Sequence, residues 1–214
     1  MAESDTFGVY SMTPKSGTRF PAFAKPASAG ERRSDKVMLP WDDNMMLDRI
    51  DLEPVFFAPF VSSVMRVEPA WIDYNGHLNM AYYNVLFDRA VDEAFELLGC
   101  GLDYVKTRGH SCFTAEVHVR YRRELHAGDP VRVTFQLIDY DAKRMHYFEQ
   151  LFHAVEGWVS ATSENMSLHV DMAAGKTAPF PADVAKCLAR MQASHARLPR
   201  PEAAGGRIAM PGKG

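Results

Sequence analysis

With 214 residues, 47% of them hydrophobic, the chain has material for one sizeable core, or at most two small ones, plus tails. Its 24 Lys and Arg against 27 Asp and Glu leave a formal net charge of -3, which gives no global attraction to nucleic acid, so an anionic ligand must meet a local basic patch. Cys100, Cys112 and Cys187 stand far apart and in no zinc spacing, no apolar run is long enough to span a membrane, and no export signal is read at the start. A cytoplasmic protein with neither membrane nor nucleic-acid partner is expected.

Residues 1 to about 36 scatter Gly8, Gly17, Gly30, Pro14, Pro21 and Pro26 among polar residues without a sustained period, as a tail or draped arm would. From Val37 to Phe60 the apolar content rises too far for a solvated linker, so part of it must dock on the core or on a partner subunit. Residues 1–59 are therefore read as an N-terminal extension. Val61, Ser63, Met65 and Val67 then alternate with their neighbours until Pro69, which predicts a strand. A polar turn holding Asp73 follows. Asn79 suits a helix N-cap and Gly99 a helix end. Between them Tyr83, Phe87, Ala90, Val91, Ala94, Phe95 and Leu98 fall on one face, with Asp88, Arg89, Asp92, Glu93 and Glu96 on another.

Downstream the period becomes two. Phe113, Ala115, Val117, Val119 and Tyr121 alternate with Thr114, Glu116, His118, Arg120 and Arg122. Turns at Ala127 to Pro130, Asp139 to Lys143 and Glu156-Gly157 separate three further segments, Val131 to Leu137, Met145 to Ala154 and Trp158 to Val170. The four segments are expected to form an antiparallel meander, closing a domain over 60–175. In the remainder, 176–214, a helix from Ala182 to Leu198 is expected before a fraying end. One strand, one long helix and four more strands make an α+β pattern in which a sheet wraps a single helix, as in the hotdog fold.

Pro69-x-x-x-Asp73-Tyr-Asn-Gly-His77-Leu-Asn79-Met-x-x-Tyr83, with the helix and then Gly128-Asp129 between strands, resembles the 4-hydroxybenzoyl-CoA thioesterase branch of hotdog proteins over about residues 60 to 171. The runs 109–119, 141–146 and 161–171 are similar to the thioesterase found with, or fused to, bacterial carnitine dehydrogenase, a group associated with betainyl-CoA hydrolysis. The resemblance implies acyl-CoA thioester hydrolysis with coenzyme A as part of the substrate and no further cofactor, and the eight His residues show no compact ligand set, so no metal is expected. It puts the catalytic carboxylate on Asp73 and the carbonyl-polarising amide near Met80.

The residues fit that chemistry. Thioester hydrolysis needs a carboxylate, as general base or nucleophile, and a donor for the developing oxyanion. Asp73 precedes a helix whose first free amides, around Asn79 and Met80, carry the positive end of the macrodipole. Asp in such a turn also has a purely local use as a hydrogen-bonding cap. Gly76 suits a positive φ, Asn75 an Asx turn, and His77 either proton transfer or a loop contact. Glu116 and His118 share a strand face, either toward the cleft as a carboxylate and imidazole pair, with Glu116 a candidate for substrate binding, or toward solvent with Thr114, Arg120 and Arg122. Arg120, Arg122, Arg123, Lys143 and Arg144 are candidates for CoA phosphates. For a trimethylammonium acyl group, one or two aromatic faces among Trp71, Tyr74, Tyr82, Tyr83, Tyr121 and Trp158 would serve as a wall. Two other readings stay open: a hotdog hydratase or dehydratase, which Asp73 and His77 partly echo, and a non-catalytic acyl-thioester binder. A lone unit leaves a sheet edge open, so a homodimer or a higher assembly such as a tetramer is expected.

Overall fold

The computed structural model describes residues 56–210. The expected N-terminal extension, 1–59, lies outside the described residues except for its last part, where Phe56 is buried in the core.

The elements run β1 (Phe60–Val61), β2 (Met65–Arg66), α1 (Met80–Leu98), α2 (Leu102–Arg108), β3 (His110–Tyr121), β4 (Pro130–Tyr140), β5 (Arg144–His153), β6 (Val159–Asp171), β7 (Lys176–Thr177) and α3 (Ala182–His195). All strands belong to one antiparallel sheet with the path β1-β4-β5-β6-β3, β2 also pairing with β4 and β7 with β6. The α+β hotdog architecture expected from the sequence is what the chain adopts.

Helix α1 forms where the caps predict it. The Asn79 side chain accepts from the Ala81 N–H at 3.0 Å, and Gly99 ends the helix at φ 76. Its first half sets Leu86, Phe87 and Ala90 against Val131, Val133, Leu151 and Ala161. Its second half packs Ala94, Phe95 and Leu98 against Phe135, Leu137, Met145 and Tyr147, with Leu188 and Met191 of α3 closing that end. Each large apolar side chain fully buried here contributes about 1.5–3 kcal/mol. His195, near the end of α3, accepts from the Leu137 N–H through Nδ1 and meets the Phe57 carbonyl through Nε2, and burial holds its pKa below the usual histidine range, so it is a neutral strut.

Three expectations are corrected. The predicted strand from Val61 to Val67 is two short pieces, because the Ser62 hydroxyl accepts from the Val133 N–H at 3.0 Å and takes over a ladder position; Ser62 is buried in place of Val61. The four-strand meander holds only for β4, β5 and β6. Strand β3 pairs with β6 instead, at the far edge of the sheet. The chain returns from it through 122–129, which docks across the start of α1: the Leu78 N–H donates to the Leu125 carbonyl at 2.7 Å and the Gly128 N–H to Val67 at 2.8 Å. Leu125 is fully buried there. Finally, a β-bulge between Thr114 and Glu116 breaks the expected alternation of β3, leaving Ala115 without a partner in the β3–β6 register.

Candidate active site

The loop before α1 is a tight hairpin. The Asp73 N–H donates to the His77 carbonyl and the Gly76 N–H to the Asp73 carbonyl, each at 3.0 Å, while Gly76 takes φ 85 to turn the chain. Asp73 Oδ1 accepts from the Asn75 N–H at 2.7 Å, and Oδ2 has only the Asn75 side-chain amide at 3.4 Å. The Asx turn is thus made by Asp73 and not by Asn75. The Asn79 N–H donates to the Trp71 carbonyl at 2.9 Å, and the bridge between Ile72 and Leu78 ties both ends of the loop. Local hydrogen bonds and the 122–129 crossing together fix where Asp73 stands relative to the helix.

Asp73 and the helix start border one cavity of about 780 Å3, whose lining includes Tyr74, Asn75, His77, Asn79, Met80, Tyr83, Tyr121, Arg122, Arg123 and Glu124. The donors at the helix start are accounted for one by one. Asn79 engages Ala81 through its side chain and Tyr82 through its carbonyl, whereas the Met80 N–H, the first of the helix, has no acceptor within it, and Met80 lines the cavity. It is the donor open to a ligand oxygen, at the positive end of a 19-residue helix. Tyr83 and Tyr121 meet edge to face, with centroids 5.0 Å apart, and burial raises both phenol pKa values, so each keeps its proton at neutral pH. The wall therefore offers a carboxylate, a backbone donor and aromatic surface within one concavity.

The profile of the thioesterase-like superfamily matches residues 67–188, the stretch that carries this loop, helix and sheet. The chain belongs to that superfamily. Among its relatives, the betainyl-CoA thioesterase of Pseudomonas aeruginosa is 37% identical over 145 residues, covering 68% of this chain and 91% of the relative. The L-carnitine dehydrogenase/betainyl-CoA thioesterase of Rhizobium meliloti is 41% identical over 140 residues, 65% of this chain, and the chain spans only 28% of that longer protein. A Staphylococcus aureus protein solved in complex with CoA superposes with a TM-score of 0.68 at 29% identity, covering 73% of this chain and 98% of its own.

In this superfamily member the sequence-based candidates separate into two sets. Asp73, Tyr74, His77, Asn79, Met80, Tyr83 and Arg122 come together on the cavity, with Gly76 at the loop tip beside them. The others stand apart. Trp71 is buried, stacked on Tyr82 at 5.4 Å with the Arg89 guanidinium 5.0 Å from its ring, and lines no part of the cavity. Trp158 is likewise engaged, by Arg123 at 4.0 Å. Glu116 and His118 do share a face, but beyond the bulge it is the face that meets His146, Glu164 and Gly205, on the far side of the sheet from α1. Arg120 lies on that outer side too, beside Pro201 and Ala203. Lys143 and Arg144 sit at the β4–β5 turn, where Arg144 is held by Asp141. Arg122 donates to Ser160 on β6 while Arg144 stands opposite Leu168, a separation of about 26 Å along the strand.

Arg123, like Arg122 a candidate for CoA phosphates, also reaches the cavity, whereas sequence reasoning missed Glu124 there. His77 Nε2 lies 4.0 Å from Glu124 Oε1. The signal of Glu124 was weak, since Arg122-Arg123-Glu124 reads as an ordinary polar turn until the crossing brings it over the helix start. Among the described residues no group of three or more His, Cys, Asp or Glu is placed to hold a metal ion, and no helix is long and apolar enough to cross a membrane.

Proposed function

We propose that this chain hydrolyses the CoA thioester of a small cationic acyl group, with betainyl-CoA as the reference substrate. Asp73 and the open Met80 N–H facing one cavity carry this reading. A thioester oxygen placed on the Met80 N–H is polarised by that donor and by the helix end, and the Asp73 carboxylate is positioned to take the proton of an attacking water or to attack the carbonyl carbon itself. Cleavage of the C–S bond then gives the free acid and the CoA thiol, with water the only co-reactant. Arg122 and Arg123 flank the opening as partners for CoA phosphates. Support for the acyl group comes from the relative at 37% identity, named as a betainyl-CoA thioesterase, and from ring surface at Tyr74, Tyr83 and Tyr121, which suits a cation without N–H groups. Three free cysteines support a reducing, cytoplasmic setting.

A thiol-release assay across betainyl-, short-chain, medium-chain and aromatic acyl-CoAs tests the reading. Release of CoA from the cationic thioester by wild type, lost in Asp73→Asn, is the expected result; equal release by both proteins would overturn it.

The protein is further proposed to act as a dimer or larger homo-oligomer. Among the described residues strand β3 pairs with β6 on one side only, and it carries the exposed Phe113, Val117 and Tyr121, the last two lining the cavities. Light scattering on the purified protein should give at least twice the mass of 24.0 kDa, and a monomer at micromolar concentration would rule this out.

A further inference from the structure

Beyond Tyr83 lies a second cavity of about 400 Å3, bordered by Asn84 and Asp88 of α1, Thr114 and Val117 of β3, and Glu149 and Asn165 of the sheet. The lining advances along α1 from Met80 and Tyr83 to Asn84 and Asp88, and runs back along β3 from Tyr121 to Val117 and Thr114. The two cavities thus follow one another along the same helix and strand.

The floor of the second cavity is unlike an ordinary sheet interior. Glu149 occupies β5 in phase with Met145, Tyr147 and Leu151, and it is 1% exposed. Its Oε2 accepts from the Asn165 side-chain amide at 2.9 Å, and the same amide donates to Ser163 Oγ at 2.8 Å. Among the described residues Oε1 has no hydrogen-bond partner. No Lys or Arg among them borders the cavity; the other carboxylate there is Asp88, and burial together with that charge raises the Glu149 pKa well above the ordinary carboxylate range. A buried carboxyl oxygen without a donor is costly and uncommon, and a cation entering this pocket would favour the ionised form of Glu149 that burial and Asp88 oppose.

We propose that this second cavity receives the cationic end of the acyl group, with Glu149 as the specificity-determining residue and Asp88 adding charge at the rim. The inference rests on the thioester-hydrolase reading and names how that site reads its substrate. Asn84 lies about 6 Å beyond Met80 along the helix axis and Asp88 about 12 Å beyond. In a betainyl thioester two single bonds, roughly 2.5 Å in all, separate the carbonyl carbon from the nitrogen, so with the carbonyl oxygen on Met80 the methyl groups extend toward the level of Asn84. A quaternary ammonium donates no N–H hydrogen bond. It is held by ring faces and by charge in a space poor in water, which Tyr83 and then Glu149 supply.

The decisive comparison uses betainyl-CoA and its uncharged isostere 3,3-dimethylbutanoyl-CoA, in which carbon replaces the ammonium nitrogen. Full-length wild type should prefer the cationic thioester in kcat/KM, and Glu149→Gln should reduce that preference by about tenfold or more, mainly through KM. Asp88→Asn, on the exposed rim, should reduce it by a smaller factor and keeps the test open if the buried substitution fails to fold. Tetramethylammonium chloride, titrated against the protein and followed by NMR shifts, reads the pocket without turnover: saturable binding weakened by Glu149→Gln supports the proposal. An unchanged preference in both variants, or equal losses on both thioesters, overturns it. Hydrolysis of neither thioester by wild type would instead sink the catalytic reading, while the tetramethylammonium titration would still report on the pocket.

Discussion

Two carboxylates border the cavities along α1, and they are built in opposite ways. Asp73 stands on a loop, half-buried at the cavity wall, its Oδ1 restrained by the Asn75 N–H and its Oδ2 met only by the Asn75 side-chain amide at 3.4 Å. Glu149 stands in mid-strand, buried at the floor of the second cavity, with one oxygen bonded to Asn165 and the other to no donor among the described residues. A group that handles water belongs where water arrives, and local loop hydrogen bonds suffice to aim it. A group that discriminates by charge gains from the low dielectric of the interior, and only sheet register can hold it there. Position in the fold thus separates chemistry from selection, although both side chains are acids along one helix.

The strongest way to break this contrast is at Asp73. Asp73→Ala should lower kcat about 10²–10⁴-fold with little change in KM, measured by thiol release, and a loss confined to KM would show that Asp73 only binds. Next comes the entrance. Arg122→Ala should raise KM for CoA thioesters by about tenfold, the scale of one charged hydrogen bond, whereas Lys143→Ala at the far turn should leave KM nearly unchanged. Equal effects would mean that CoA follows a different path.

Stability sharpens the contrast with a smaller effect. The Glu149 pKa is raised in the folded state, so its stabilising contribution is full below the unfolded carboxylate value and is lost as pH rises through the folded one. Glu149→Gln should therefore gain about 1–3 kcal/mol relative to wild type at pH 8, a gain that shrinks at pH 4.5, read from thermal melts. Asp73→Asn, which keeps the Asn75 contact, should stay within about 0.5 kcal/mol at both pH values. If the Gln variant lost stability equally at both, the acid would be a neutral structural residue.

How far the sequence revealed this layout follows from the range of the interactions involved. Helix α1 was legible to the residue because Asn79 and Gly99 are local signals, and the Asp73 loop was legible because it abuts that helix. The position of β3 was not, since its pairing with β6 joins residues some fifty positions apart and no local pattern chooses between edges. The bulge misled the reading of Thr114, which one unpaired residue puts on the same side as Val117 in place of Phe113. Glu149 did leave a trace. It shares its phase with Met145, Tyr147 and Leu151, and an acid in step with core positions is the pattern of a buried polar site. Ser163 and Asn165, in step with Ala161 on β6, complete it.

The unmatched Ala115 has a further consequence. An edge strand of 12 residues with Phe113, Val117 and Tyr121 exposed is a template on which foreign strands can add. A bulge in its middle gives the edge a local twist that a symmetry-related copy of the same strand can match and a flat, unrelated strand cannot. Deleting Ala115 keeps Thr114 and Val117 on their present sides while straightening the edge. The deletion variant should therefore fold yet precipitate with rising concentration, seen as turbidity where wild type stays clear, and a variant that stayed equally clear would show that the bulge plays no part in guarding the chain against aggregation.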